Sequence, residues 1–172
     1  MIIWITGLSG AGKTTLGRSV FTYYKKKFPN TLWFDGETTN LLTDNKRGYD
    51  KKSRINQLKK NIKFYEFCHK QKMNLIVSCL YIDKNFEQRN KKKFKKYFQI
   101  YLKANIKDLI KRDPKKMYKK NLKKSKPNIV GYDIKWNGPK FSNMIIKNSY
   151  NQNLKLLTKK IIDKTKKNFN KF

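Results

Sequence analysis

The nine residues GLSGAGKTT, at positions 7–15, restrict this chain more than any other part of it. They satisfy the spacing G-x-x-x-x-G-K-[ST] through Gly7, Gly12, Lys13 and Thr14. The apolar run IIWIT at 2–6 precedes them and an amphipathic stretch through Lys27 follows, so the loop joins a buried strand to a helix. Glycines at the bend let the backbone pass close to an anion, with successive N–H groups aimed at phosphate oxygens. The helix that starts there adds the positive end of its dipole. Lys13 is placed to reach the β- and γ-phosphates, and the Thr14 hydroxyl to coordinate Mg²⁺. A chance glycine turn would lack the strand and helix in register. The expectation is a nucleoside triphosphate, ATP or GTP, held with Mg²⁺ by Gly7, Leu8, Ser9, Gly10, Ala11, Gly12, Lys13, Thr14 and Thr15.

Beyond the loop, short apolar runs alternate with longer amphipathic ones. TLWF, NLIVSCL, YFQIYL and NMIIKN read as four further strands. Residues 53–71 carry Ile55, Leu58, Ile62, Tyr65 and Phe67 near helical spacing, NIKDLIKRD reads as a short helix, and residues 150–168 as an amphipathic one with Leu154, Leu157 and Ile161 inward. Strands alternating with helices predict an α/β fold: a P-loop NTPase-type parallel sheet with helices on both faces, in one domain spanning 1–172. The lysine-rich run at 115–126 is the expected mobile excursion.

The chain has 43 Lys and Arg against 11 Asp and Glu, a formal charge of +32. Such a charge suits a nucleic-acid partner. Only Arg18, Arg47, Arg54, Arg89 and Arg112 are arginines, however, and arginine is the usual residue for bidentate phosphate and base recognition. Abundant Lys, Asn, Ile, Phe and Tyr fit the coding bias of an A- and T-rich genome, so a nucleic-acid-binding role is the secondary reading. Cys68 and Cys79 form no disulfide framework or metal spacing and read as buried thiols of a reducing compartment. His69, the one histidine, reads as a surface helix position. No apolar run approaches the roughly 18 residues that span a bilayer, and MIIWITG does not resemble a signal peptide, so a cytoplasmic protein without membrane association is expected.

A second segment bears on chemistry. FDGETTN places Asp35 and Glu37 just after a strand. A carboxylate at the carboxyl end of a neighbouring strand lies across the crevice where open α/β sheets bind ligands. Asp35 there would act as base for an acceptor hydroxyl or hold a magnesium-bound water, and Glu37 would take the other task. The plain alternative is an Asp-Gly turn; the scarcity of acids favours the catalytic reading.

Together these segments resemble the adenylylsulfate kinases, P-loop enzymes that phosphorylate the 3′-hydroxyl of adenosine 5′-phosphosulfate, from about residue 2 to 147. GLSGAGKTT is written almost identically in that family, and FDGETTN is similar to its L-D-G-D-x-x-R. RGYDKKSRINQLKK is similar to L-G-F-S-x-x-D-R-x-E-N-I-R-R, KRDPKKMYKK to R-D-x-K-G-L-Y-K-K, and NIVGYD with Pro139 to F-T-G-I-D and the proline after it. The resemblance implies ATP and Mg²⁺ as cofactors, with Thr14 and Asp35 toward the metal. It implies Lys13, Asp35 and Glu37 as catalytic residues, and a lid over 112–133 that closes on the nucleotides with Arg112 and Lys115 as contacts. It also implies an acceptor site of Asp35, Asn40, Tyr49, Arg54, Gln57, Leu80 and Ile129. Arg54 would grip the acceptor's phosphate and Tyr49 pack on its base or sugar. A homodimer follows only by analogy with the family.

The departures fall on the acceptor side. Asn40 stands for the arginine closing D-G-D-x-x-R, Gln57 for the asparagine of E-N-I-R-R, and Ile129 for a phenylalanine that stacks on the substrate's adenine. Leu80, Tyr81 and Ile82 replace I-S-P after the third strand. Loss of an aromatic face removes stacking, and loss of arginine removes a fork suited to phosphate or sulfate. The expected function is an ATP-dependent kinase acting on adenosine 5′-phosphosulfate or a related nucleotide. The alternative is the same chemistry on another acceptor, such as a cytidine diphosphate derivative.

Overall fold

Every residue of the strand β1 (Ile2–Gly7) is buried, which suits an apolar run covered on both faces. A computed structural model of the chain describes residues 1–36, 38, 48–83, 85–113 and 116–169. Around β1 lie β2 (Thr31–Asp35), β3 (Asn74–Ser78), β4 (Tyr97–Lys103) and β5 (Met144–Lys147), all parallel, in the order β2-β3-β1-β4-β5. Trp4 lies opposite Val77 on one side and Gln99 on the other. The strand order reverses beside β1, so the carboxyl ends of β1 and β3 open the crevice in which such sheets take ligands.

Helix α1 (Lys13–Lys27) packs Leu16, Val20 and Tyr24 on one face, together with Leu157 and Ile161 of α6 (Leu154–Phe169). The Tyr24 and Thr165 hydroxyls share a buried hydrogen bond at 2.5 Å that joins these helices. Gly17 lets α1 approach the sheet: a Cβ there would lie 1.9 Å from Ser78 Oγ and 2.9 Å from Trp33 Nε1. The other face is covered by α2 (Lys51–Lys70) and α3 (Phe86–Lys93) over an aromatic cluster centred on Trp4. The Trp4 ring meets Phe86 at 4.8 Å and Tyr65 at 5.8 Å, both edge-on. Asp50 fixes the start of α2 by accepting from the Ser53 N–H at 3.0 Å.

Helices α4 (Ile106–Arg112) and α5 (Met117–Leu122) follow β4. The run expected as an excursion thus contains a docked helix, because Tyr118 is buried and its hydroxyl has a partner across the site. The sequence reading missed α3, whose charged residues obscure a buried face made of Phe86, Glu87 and Asn90. It placed Leu154 inward and counted Phe67 in the helical spacing of α2, but they are 39 % and 60 % exposed, lying off the stripes that face the sheet. Cys79 is half-buried rather than buried, since β3 ends at Ser78 and the chain there borders a cavity. His69 is half-buried, with its ring edge-on to Phe94 at 5.4 Å. Among the described residues, no helix is long and apolar enough to cross a membrane.

Candidate functional site

The loop between β1 and α1 turns through left-handed backbone at Gly10 and Gly12, with φ of 78° and 92°. Gly12 is the N-cap of α1 and brings no side-chain cap, so the helix's first N–H groups face the loop's concavity. Gly7 ends β1, buried Leu8 and Ala11 anchor the loop from beneath, and the Leu8 carbonyl accepts from the Ala11 N–H at 3.2 Å. Lys13 Nζ donates to the same carbonyl at 2.9 Å, which holds the ammonium against the loop. The Ser149 hydroxyl, just after β5, donates to the Ala11 carbonyl at 2.6 Å and steadies the loop from the opposite side.

Beside this loop opens a cavity of about 570 Å³. Ser9, Lys13 and Thr14 form one wall, and Asp35 at the end of β2 faces them with Gly36. Asp35 is 5 % exposed, and its Oδ1 accepts from the Thr38 N–H at 2.9 Å and the Thr38 hydroxyl at 3.1 Å. Those bonds orient the carboxylate at the wall. Tyr49, Arg54, Leu80 and Ile129 also line it, as do Lys120, Lys124 and Lys126. A fixed anion thus faces a cluster of cations, an arrangement suited to a polyphosphate on one side and a polar acceptor on the other.

Arg54 Nε donates to the Tyr49 carbonyl at 2.6 Å, its NH2 group donates to the Asn128 carbonyl at 3.0 Å, and its guanidinium lies 5.5 Å from the Tyr49 ring centre. It therefore ties α2 to the segment holding Ile129. That segment is closed by Asp133, which accepts from the Asn128 N–H at 2.7 Å and the Ile129 N–H at 2.5 Å. Ile129 is 3 % exposed and offers an aliphatic wall rather than an aromatic face.

Of the expected site residues, Ser9, Lys13, Thr14, Asp35, Tyr49, Arg54, Leu80 and Ile129 share this cavity. Thr15 points outward from the first turn of α1, exposed and off the lining. Gln57 lies behind the cavity in a separate small recess. Arg112 ends α4 with its guanidinium 3.8 Å from the Tyr150 ring centre, a cation–π contact outside the lining. Glu37, Asn40 and Lys115 lie outside the described residues.

The sequence reading did not single out Tyr118, Asp113, Asp133 or Ser149. Tyr118 donates from its hydroxyl to the Ser9 carbonyl at 2.9 Å, pinning α5 to the phosphate loop. Burial, then the nearby Asp113 charge, pushes its phenol up to about 12, so it stays a neutral donor. Asp113 caps α5, accepting from the N–H groups of Tyr118 at 3.0 Å and Lys119 at 2.8 Å. Tyr118 and Asp113 lie inside the quoted KRDPKKMYKK and were legible as a motif, though not in these roles. Ser149 carries no local signal.

The sequence model of the adenylylsulphate kinases matches residues 1–147. A cytidine diphosphoramidate kinase of Campylobacter jejuni is 36 % identical over 163 residues, covering 95 % of each chain. Among solved structures, the protein APE1195 superposes with a TM-score of 0.82 at 22 % identity, over 96 % of this chain and 94 % of that one. The Mycobacterium tuberculosis APS kinase CysC, in complex with AMPPNP and APS, superposes with a TM-score of 0.74 at 20 % identity over 96 % of both chains. A phosphate loop in register with β1 and α1, a carboxylate opposite it and a match over 147 residues lead to one assignment: this chain belongs to the adenylylsulphate kinase family and is an ATP-dependent phosphotransferase.

Proposed function

We propose that this kinase transfers the γ-phosphoryl group of ATP to a ribose hydroxyl of a cytidine diphosphate derivative, of the cytidine diphosphoramidate type, rather than to adenosine 5′-phosphosulfate. The observation that carries this reading is the 36 % identity, over 95 % of both chains, with a kinase named for that acceptor. The aliphatic Ile129 supports it, since an adenine would lose its stacking partner at that wall.

The loop's N–H groups and Lys13 hold the β- and γ-phosphates, and the lining lysines Lys120, Lys124 and Lys126 add positive charge to offset the negative charge of the transferred group. Asp35, fixed by Thr38, either accepts the proton of the attacking hydroxyl or holds a magnesium-bound water. Arg54 takes the acceptor's phosphates and Tyr49 its base or sugar, a division supported by both residues lining the cavity. The donor set suits Mg²⁺: among the described residues no cluster of three acidic, His or Cys side chains exists, while the Thr14 hydroxyl and Asp35 flank one cavity. Mg²⁺ is commonly held by one or two protein oxygens plus substrate phosphates, and when bound it neutralises the phosphate charge. Closure of a lid over 112–133 completes the proposal by excluding water from transfer.

An acceptor screen tests this. With Mg·ATP, ADP release is measured for cytidine diphosphoramidate, CDP, adenosine 5′-phosphosulfate and a nucleotide panel. The expected result is faster turnover with a cytidine diphosphate derivative than with adenosine 5′-phosphosulfate. Turnover with adenosine 5′-phosphosulfate and none with any cytidine nucleotide would refute the reading.

A further inference from the structure

Next to the main cavity lies a separate recess of about 40 Å³, and the two share Arg54, Cys79 and Leu80 as lining. That volume admits one small group, since a water takes about 30 Å³ in the liquid. A base or a sugar does not fit; the outer atoms of a terminal phosphoryl-type group do. The deep wall is polar. Gln57 and Asn61, one turn apart on α2, are 8 % and 3 % exposed, and Gln57 Nε2 donates to Asn61 Oδ1 at 2.8 Å. No hydrogen bond within the described chain engages Gln57 Oε1 or Asn61 Nδ2. The two side chains are buried as a whole, yet these two atoms stay accessible on the recess wall, where a ligand atom can meet them.

The pair's internal bond fixes what it can recognise. With Gln57 Nε2 donating to Asn61 Oδ1, the outward atoms of the pair are the Gln57 carbonyl, an acceptor, and the Asn61 amide, a donor. A sulfate or fully ionised phosphate terminus offers acceptors only, and its oxygens would face the Gln57 carbonyl without a proton between them. A P–NH₂ terminus offers both halves. Resting on the cytidine diphosphate reading above, we propose that this recess reads the amide of a phosphoramidate terminus: Gln57 Oε1 accepts from the N–H, Asn61 Nδ2 donates to the adjoining phosphoryl oxygen, and Arg54 at the mouth pairs with the charge. Gln57 is then the specificity-determining contact, and Asn61 both a contact and the group that positions Gln57.

The test compares cytidine diphosphoramidate with its analogue bearing P–CH₃ in place of P–NH₂, which matches it in size and charge and lacks only the N–H. For the wild type, kcat/KM from ADP release should favour the amide by roughly tenfold, the scale of one net hydrogen bond lost at an accessible site. In Gln57→Met the preference should fall to within about twofold, because the acceptor atom is gone while the volume is kept. Asn61→Leu, which frees the Gln57 amide to turn, should lower the preference likewise and serves if the first variant does not fold. A wild type that uses both compounds equally would overturn this inference and leave the cytidine acceptor intact, as would either folded variant that retains the full preference. A wild type that uses no cytidine nucleotide would overturn the proposed function itself.

Discussion

Replacing Tyr118 with phenylalanine removes one oxygen and tests whether α5 is coupled to the phosphate loop. The ring stays in its buried seat, so the change isolates the 2.9 Å bond to the Ser9 carbonyl. A net protein hydrogen bond contributes about 0.5–1.5 kcal/mol, and Ser9 borders the cavity, where water can replace the lost donor, so about 1 kcal/mol is expected. That corresponds to a roughly fivefold rise in local opening of α5. Amide hydrogen exchange across 117–122 reads it directly, with the amides of β1 as an internal standard. The tie also has an alkaline signature. Because burial and the Asp113 charge raise the phenol from 10.0 to about 12, its contribution is complete below pH 10 and is lost as pH rises through 12. The phenylalanine variant should lack that alkaline step in α5. Equal exchange in the two proteins at neutral pH would refute the coupling.

Asp35→Asn should lower turnover by roughly a hundredfold or more while ATP still raises the melting temperature, and near-normal turnover would remove Asp35 from the mechanism. Gly17→Ala should destabilise the fold by about 1–3 kcal/mol, read from the urea midpoint, because the new methyl would overlap Ser78 Oγ. For Asp113, burial opposes ionisation, but the N–H groups of Lys119, Tyr118 and Met117 outweigh it and hold the carboxyl below its ordinary 3.8. Its contribution is therefore present above pH 3.8 and lost as pH falls through the lower folded value. Protection of the α5 amides, taken relative to those of β1 at each pH, should fall in acid, and Asp113→Asn should abolish that step.

The strands and the phosphate loop were legible because their signals are local. An apolar run before G-x-x-x-x-G-K-T specifies a buried strand and a loop at once, and β1 and α1 lie where that pattern puts them. Helix α3 was not legible, since of its buried residues Phe86, Glu87 and Asn90 only one is apolar. The cavity's composition was half legible. Lys13, Asp35 and Arg54 come from motifs, whereas Ser149 reaches the loop from 138 positions away through the sheet, a relation no local spacing encodes. Asn61 was missed for a related reason: on a helix read only for apolar period, a polar residue on the inward face looks like noise until its partner Gln57 is seen beside it.

The scarcity of acids proves a weaker argument for catalysis than it looked. Asp50 accepts from the Ser53 N–H, Asp83 from Asn85, Asp113 from Tyr118 and Lys119, Asp133 from Asn128 and Ile129, and Glu87 from Lys140 and Phe141. Among the described residues, only Arg89 with Asp83 and Lys93 with Glu66 form ion pairs, so most acids of this basic chain organise backbone turns instead of balancing lysines. Asp35 does this too, through Thr38. What separates it is placement, because among the described acids it alone lines the cavity with Lys13 and Thr14. The dual role decides which substitution is informative. Asparagine keeps an Oδ1 for the Thr38 N–H and removes only the charge, whereas alanine would release the turn as well. A loss of transfer in Asp35→Asn, with ATP binding retained, therefore reports the carboxylate's chemistry and not the collapse of the loop that carries it.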